Sequence, residues 1–154
     1  MKKIWIIAAT FFNVGRIPIA PGSWASLITV GTLYLIYPHI QSLVTGVTSL
    51  VIIILLGIPA ASAAEVHFGK KDPGECVIDE VAGQLLCLIF IPHSWVHYLA
   101  AFFIFRFFDI FKPFPIRRVE KIDRGLGIML DDLIAGLYTL IAIRFFMWLK
   151  LLIF

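Results

Sequence analysis

Residues 17–64 read IPIAPGSWASLITVGTLYLIYPHIQSLVTGVTSLVIIILLGIPAASAA, without one Asp, Glu, Lys or Arg. A helix of about 20 apolar residues crosses the hydrocarbon core of a bilayer, so this stretch holds two crossings. The break between them falls at Tyr37-Pro38-His39 through Gln41-Ser42, where proline and polar side chains interrupt the run. The first span is predicted from Ser23 to Ile40 and the second from Leu43 to Ala64.

Working outward, a third span is predicted from Val77 to Ile91, stopping at Pro92-His93-Ser94. A fourth runs from Trp95 to Phe111 and is ended by Pro113 and Pro115. A fifth begins near Met129 and continues toward the C-terminus. Ile4 to Phe12 is too short to cross and reads as an interfacial or re-entrant helix. Its basic start, Met1-Lys2-Lys3, imitates a signal peptide, but no small-x-small site follows closely, so retention is expected. The fold class is therefore all-α: a polytopic membrane helical bundle of about five transmembrane helices plus that short N-terminal helix, in one domain over residues 1–154.

Composition agrees. The 154 residues are 60% hydrophobic and 15% charged, with a mean hydropathy of +0.96. Soluble domains carry about a quarter charged residues, because their surface faces water. The net charge of +3, with aromatics set inside apolar runs, suits anionic headgroups and excludes a nucleic-acid partner. Cys76 and Cys87 form neither a disulfide framework nor a C-x-x-C pair and read as packing residues.

Orientation follows from the basic residues. With five spans and the N-terminus inside, Lys2, Lys3, Arg16, Lys70, Lys71, Arg106, Lys112, Arg117, Arg118, Lys121 and Arg124 fall on the inner side. Only Arg144 and Lys150 lie toward the outside. This positive-inside bias fixes the topology. Trp95 and Trp148 then sit near the outer interface and Trp24 near the inner one.

Every acidic residue, from Glu65 to Asp132, also falls inside. Several are deep. After Asp79-Glu80 the third span has only about 14 residues, roughly 21 Å of helix, so those carboxylates sit at the hydrocarbon edge. Ionisable groups at such depth are expensive and mark functional sites. Ile78-Asp79-Glu80-Val81-Ala82-Gly83 and Leu130-Asp131-Asp132-Leu133-Ile134-Ala135-Gly136 are alike: adjacent carboxylates at the inner start of a span, then a glycine. Glycine permits close helix approach, so the two starts can meet. Together they offer two to four oxygens from Asp79, Glu80, Asp131 and Asp132, which suits a hard cation such as Mg²⁺. The plainer alternative is stabilisation of two helix N-termini by first-turn acids.

Arg106, Asp109 and Lys112 recur at i, i+3 and i+6. That is either an ion-paired membrane edge or a carboxylate at a metal site with cations facing phosphate. Arg117 and Arg118 add guanidinium forks for phosphate oxygens or for anionic lipid. In Ala20-Pro21-Gly22-Ser23, Ser23 is expected to cap the first span, whose free N–H groups form a phosphate seat. His93 and His97, at i, i+4 on the outer side, are weak metal candidates, and His67 is a proton-transfer candidate on the inner side.

Taken in order, Ala20-Pro-Gly-Ser-Trp-Ala-Ser26, Asp72-Pro-Gly-Glu-Cys-Val-Ile-Asp-Glu80 with Gly83, Phe105-Arg-Phe-Phe-Asp-Ile-Phe-Lys-Pro-Phe-Pro-Ile-Arg117 and Gly125-Leu-Gly-Ile-Met-Leu-Asp-Asp-Leu-Ile-Ala-Gly136 resemble the phosphatidylglycerophosphatase A family. Glu75 and Cys76 depart from the residues that pattern leads one to expect. The resemblance implies a Mg²⁺-dependent phosphatase of the bacterial inner membrane, its site facing the cytoplasm, converting phosphatidylglycerophosphate to phosphatidylglycerol and inorganic phosphate. Asp79, Glu80, Asp131 and Asp132 would hold the metal, with Asp79, Asp109 and Asp131 catalytic. Ser23, Arg106, Lys112, Arg117 and Arg118 would bind substrate. Asp109 is open to three roles: ligand, base or nucleophile. Two rivals differ in class. A CDP-lipid phosphotransferase would need a D-G-x-x-A-R signature, which is missing. A cation or proton transporter would line a path from both sides, whereas these acids are one-sided.

Overall fold

A computed structural model describes residues 2–40, 42–122 and 124–153, without the side chains of residues 39 and 40. The described residues form seven α-helices and one 3₁₀ turn at Val14–Arg16. The helices are α1 (Lys2–Ala9), α2 (Pro21–Ile40), α3 (Leu43–Phe68), α4 (Ile78–Ile89), α5 (Trp95–Phe111), α6 (Ile116–Val119) and α7 (Gly125–Ile153). The predicted break after α2 lies partly outside the described residues, as does Asp123.

α3 and α7 are long and apolar enough to cross a membrane. Their flanks fit that medium: Val51, Ile52, Leu55 and Leu56 of α3, and Phe145, Phe146, Leu151 and Leu152 of α7, are exposed. Meanwhile Asp79, Gln84, Asp131 and Asp132 are buried. A water-soluble fold sorts its side chains the other way. The helix bounds differ instructively from expectation. α3 continues one turn past Ala64 to Phe68 and ends on Gly69 in a left-handed conformation (φ 68°), whose N–H donates to the Glu65 carbonyl. α7 starts one turn before Met129. α4 has only 12 residues, about 18 Å of helix, well short of a full hydrocarbon core.

α4 is the central helix, buried on nearly every side, with α2, α3, α5 and α7 around it. Its approach to α7 is a backbone contact. A Cβ on Gly83 would collide with the Asp132 carbonyl oxygen, and one on Gly136 with the Gly83 carbonyl oxygen. Only glycine allows helices so close. The start of α7 is held to α3 in a similar way. The Gly125 N–H donates to Ser62 Oγ (2.9 Å), and a Cβ at Gly125 would strike the Ile58 carbonyl oxygen. The Met129 side chain fills the space over Gly57.

These contacts fix the directions. α2, α4 and α7 begin where α3 and α5 finish, so helix starts and acidic side chains share one end of the bundle. At the other end His93 Nε2 lies 2.9 Å from the Tyr34 carbonyl oxygen. Its ring stacks on Tyr34 and Tyr37 at 4.6 and 4.8 Å. His93 is therefore absorbed in packing.

Candidate active site

α4 presents Asp79 and Glu80 in its first turn, where the helix N-terminus favours negative charge. α7 presents Asp131 and Asp132 in its second turn. Because Gly83 and Gly136 let the two backbones touch, three carboxylates converge. One oxygen each of Asp79, Glu80 and Asp132 lies within 4.8 Å of the others. Asp131 is turned elsewhere: its Oδ2 accepts from Lys112 Nζ at 2.8 Å and its Oδ1 from the Asp132 N–H at 2.9 Å.

α5 supplies the counter-charge. Arg106 Nη1 sits 2.6 Å from Asp109 Oδ2 and 3.7 Å from Glu80 Oε1. The first turn of α2 closes this corner: a Cβ on Gly22 would collide with Glu80 Oε1 and come within 3.0 Å of Arg106 Nη1. Ser23, half-buried, is the next residue. It is not the cap that was expected. α2 starts two residues earlier at Pro21, a favoured first helical residue, so Ser23 lies inside the first turn. Ala20 precedes it with φ 49°, and its carbonyl accepts from the Trp24 N–H.

Lys112 ends α5 in a left-handed conformation (φ 44°), which returns its side chain toward α7. Besides Asp131, its Nζ lies 3.3 Å from Glu120 Oε1 and 3.7 Å from Asp72 Oδ2. Burial lifts the Asp72 carboxyl above its usual range, with Glu120 and Asp109 adding to it and Lys112 opposing. Burial works against the Lys112 ammonium, but Asp131, Asp72 and Glu120 outweigh it and raise its pKa. Lys112 is thus a hub for carboxylates, with 19% of its side chain still exposed.

Arg117 and Arg118 are exposed. Arg117 Nη2 donates to the Phe111 carbonyl oxygen at 3.3 Å. The Arg118 guanidinium lies 4.8 Å above the Phe114 ring. Neither contacts the acidic cluster among the described residues. His67 is on the far side of α3, against α1. Asp72 and Glu120 are the site members that sequence reasoning missed as such. Both lie on loops, where no helical spacing relates them to Lys112.

Seven carboxyl groups (Asp72, Asp79, Glu80, Asp109, Glu120, Asp131, Asp132) surround two cations, Arg106 and Lys112. Asp79 Oδ1 and Glu80 Oε2 are buried without a hydrogen-bond partner among the described residues. Buried carboxylates need a counter-ion, and an all-oxygen donor set matches a hard divalent cation. The residues present therefore fit Mg²⁺, with Asp79, Glu80 and Asp132 as its holders. Arg106 Nε is likewise buried and unpartnered, a free donor beside the trio.

The sequence profile of the family described as Phosphatidylglycerophosphatase A matches residues 7–147. A relative from Haemophilus influenzae named phosphatidylglycerophosphatase A is 40% identical over 151 residues, covering 93% of this chain and 91% of its own. Another of that name, from Escherichia coli, is 34% identical over 143 residues, covering 90% and 81%. A relative from Bacteroides thetaiotaomicron, named as a candidate phosphatidylinositol-3-phosphatase, is 37% identical over 150 residues and 93% of each chain. No solved structure matches.

Proposed function

The chain belongs to the phosphatidylglycerophosphatase A family and is a phosphatase; from that premise we propose that it hydrolyses the terminal phosphomonoester of phosphatidylglycerophosphate at the Asp79–Glu80–Asp132 cluster, using Mg²⁺. The observation that carries this is the convergence of three carboxylate oxygens within 4.8 Å, two of those residues having unpartnered oxygens, beside Arg106.

Mg²⁺, when bound, supplies charge neutralisation for the phosphoryl oxygens and for the attacking oxygen. The rest falls to the chain. Arg106 holds phosphoryl oxygens through its free Nε, and the first-turn N–H groups and hydroxyl of Gly22-Ser23 complete the cradle. Asp109, paired with Arg106, takes the proton of the attacking water as the P–O ester bond breaks and the proton passes to the leaving alkoxide. Asp131 and Lys112 set the distance between α5 and α7. Arg117 and Arg118, outside the cluster, attract the anionic lipid surface.

We place the enzyme in the bacterial inner membrane with five crossings (α2, α3, α4, α5 and α7) and the cluster on the cytoplasmic side. The bias of basic residues toward that side supports this. On this reading the non-helical residues 90–94, around Pro92, would carry the chain from the end of the short α4 to the outer interface.

The test is phosphate release from phosphatidylglycerophosphate in mixed micelles, with phosphatidylinositol 3-phosphate as a parallel substrate because one relative carries that name. Chelation should stop release and Mg²⁺ should restore it. Full activity in excess EDTA would remove the metal from the proposal, and preference for the inositol lipid would change the substrate.

A further inference from the structure

α1 carries Lys2 and Lys3 on a helix whose Ile4 and Ile7 are exposed, and it packs along the end of α3. Between them lies a cavity of about 420 Å³ lined by Lys2, Lys3, Arg16 and His67, with Ile6 and Ile7 as its apolar wall. It adjoins a second hollow that shares Lys2, Ile6 and His67 and extends along α3 past Ala63 and Val66. No carboxylate lines either hollow, and no acidic partner is found for Lys2, Lys3 or Arg16 among the described residues. A cationic mouth that continues into an apolar trough matches a phosphate attached to an acyl chain. It does not match a free anion, which gains nothing from the trough.

We propose that the groove between α1 and α3 binds an anionic phospholipid of the surrounding leaflet, as a site separate from the acidic cluster. Arg16 lines this groove and also a third hollow reaching Pro21. Pro21 is the residue before Gly22, which touches Glu80 and Arg106. The bound lipid therefore lies beside Arg16, one hollow away from the start of α2, and that hollow is lined by Lys70 and Glu75, which pair with each other at 3.1 Å. The inference rests on the membrane reading of α3, not on the phosphatase reading of the cluster.

Trp5, on α1 itself, reports occupancy once Trp24, Trp95 and Trp148 are replaced by Phe. The protein is reconstituted in phosphatidylcholine nanodiscs doped with brominated phosphatidylserine, or with brominated phosphatidylcholine as control. Phosphatidylserine is anionic and carries no phosphomonoester, so turnover does not enter the reading. Trp5 quenching should be stronger with phosphatidylserine, at low mole fraction. Lys3→Ala with Arg16→Ala should weaken the apparent affinity about fivefold per cation removed. Lys3→Arg with Arg16→Lys should preserve it, separating charge from folding. Equal quenching by both lipids, or no change in the alanine variant, would overturn the proposal. Relief of quenching by inorganic phosphate would show a free-anion site and overturn it too.

Discussion

Among single residues, the structure divides labour within a cluster that looks uniform in the sequence. Asp131 and Asp132 are neighbours, yet one faces Lys112 and the other faces Asp79 and Glu80. Adjacent helical residues point about 100° apart, so the two side chains cannot share one set of partners. If Asp79 and Asp132 hold a metal that stabilises the transition state, Asp→Asn at either keeps shape and removes charge. Turnover of phosphatidylglycerophosphate in mixed micelles should then fall at least about 100-fold, roughly 2.7 kcal/mol of barrier. The double variant should be little worse than either single one, because both residues act on one site. Arg118→Ala, over the Phe114 ring and in the open, should instead weaken apparent substrate affinity by about 1 kcal/mol and spare turnover. Near-normal turnover in both Asn variants would return these acids to helix-start stabilisation.

At the scale of elements, the crossing of α4 and α7 makes the cluster. Gly83→Ala or Gly136→Ala drives a methyl into a backbone carbonyl, and backbone cannot yield as a side-chain tip can. Overpacking of this kind costs about 1–3 kcal/mol. The expected result is a lowered thermal midpoint in detergent together with lost phosphate release. Gly31→Ala is the control: a Cβ there meets nothing within 4 Å, so helix propensity alone acts, worth up to about 1 kcal/mol in the stabilising direction. Equal midpoints for Gly31→Ala and Gly83→Ala would dismiss the close crossing.

This scale also shows what could be read from the chain. The uncharged run and the prolines located both ends of α5 and the start of α3, because desolvation cost and the missing proline N–H act locally, whereas α2 starts two residues before Ser23 and α3 runs one turn past Ala64. The glycine after each acidic pair announced the α4–α7 contact, since small residues have few other reasons to recur there. Ser23 was misplaced because Pro21 starts the helix earlier than the serine alone suggests. The contacts of Lys112 with Asp72 and Glu120 were beyond reach. A loop carries no period, so nothing in its residues says which lysine they will meet.

For the molecule as a whole, the test is orientation in the bilayer. Cys76 and Cys87 are buried, so an introduced cysteine can be read against a low background. Ser94→Cys should react with a membrane-impermeant maleimide added to intact cells, and Lys121→Cys only after permeabilisation. Reversed labelling would place the cluster outside and end the proposed metabolic role.

The stretch of α7 between Gly125 and Gly136 is clamped at both ends, to α3 through Ser62 and to α4 through Gly83. That makes it a phase-locked segment, sensitive to residue count more than to residue type. One alanine inserted between Gly127 and Asp131 must rotate the acids by about 100° against one clamp or the other. Four inserted alanines overshoot a full turn by only about 40° and restore much of the phase. Insertions after Ile143, past the last buried residue of α7, carry no such constraint. A ladder of one to four alanines at each place, scored by phosphate release, should give activity that rises and falls with helical phase in the first segment and stays level in the second. The same clamp predicts how length can vary in this helix: insertions should be tolerated in its distal half and should abolish phosphate release when they break the phase of its first three turns.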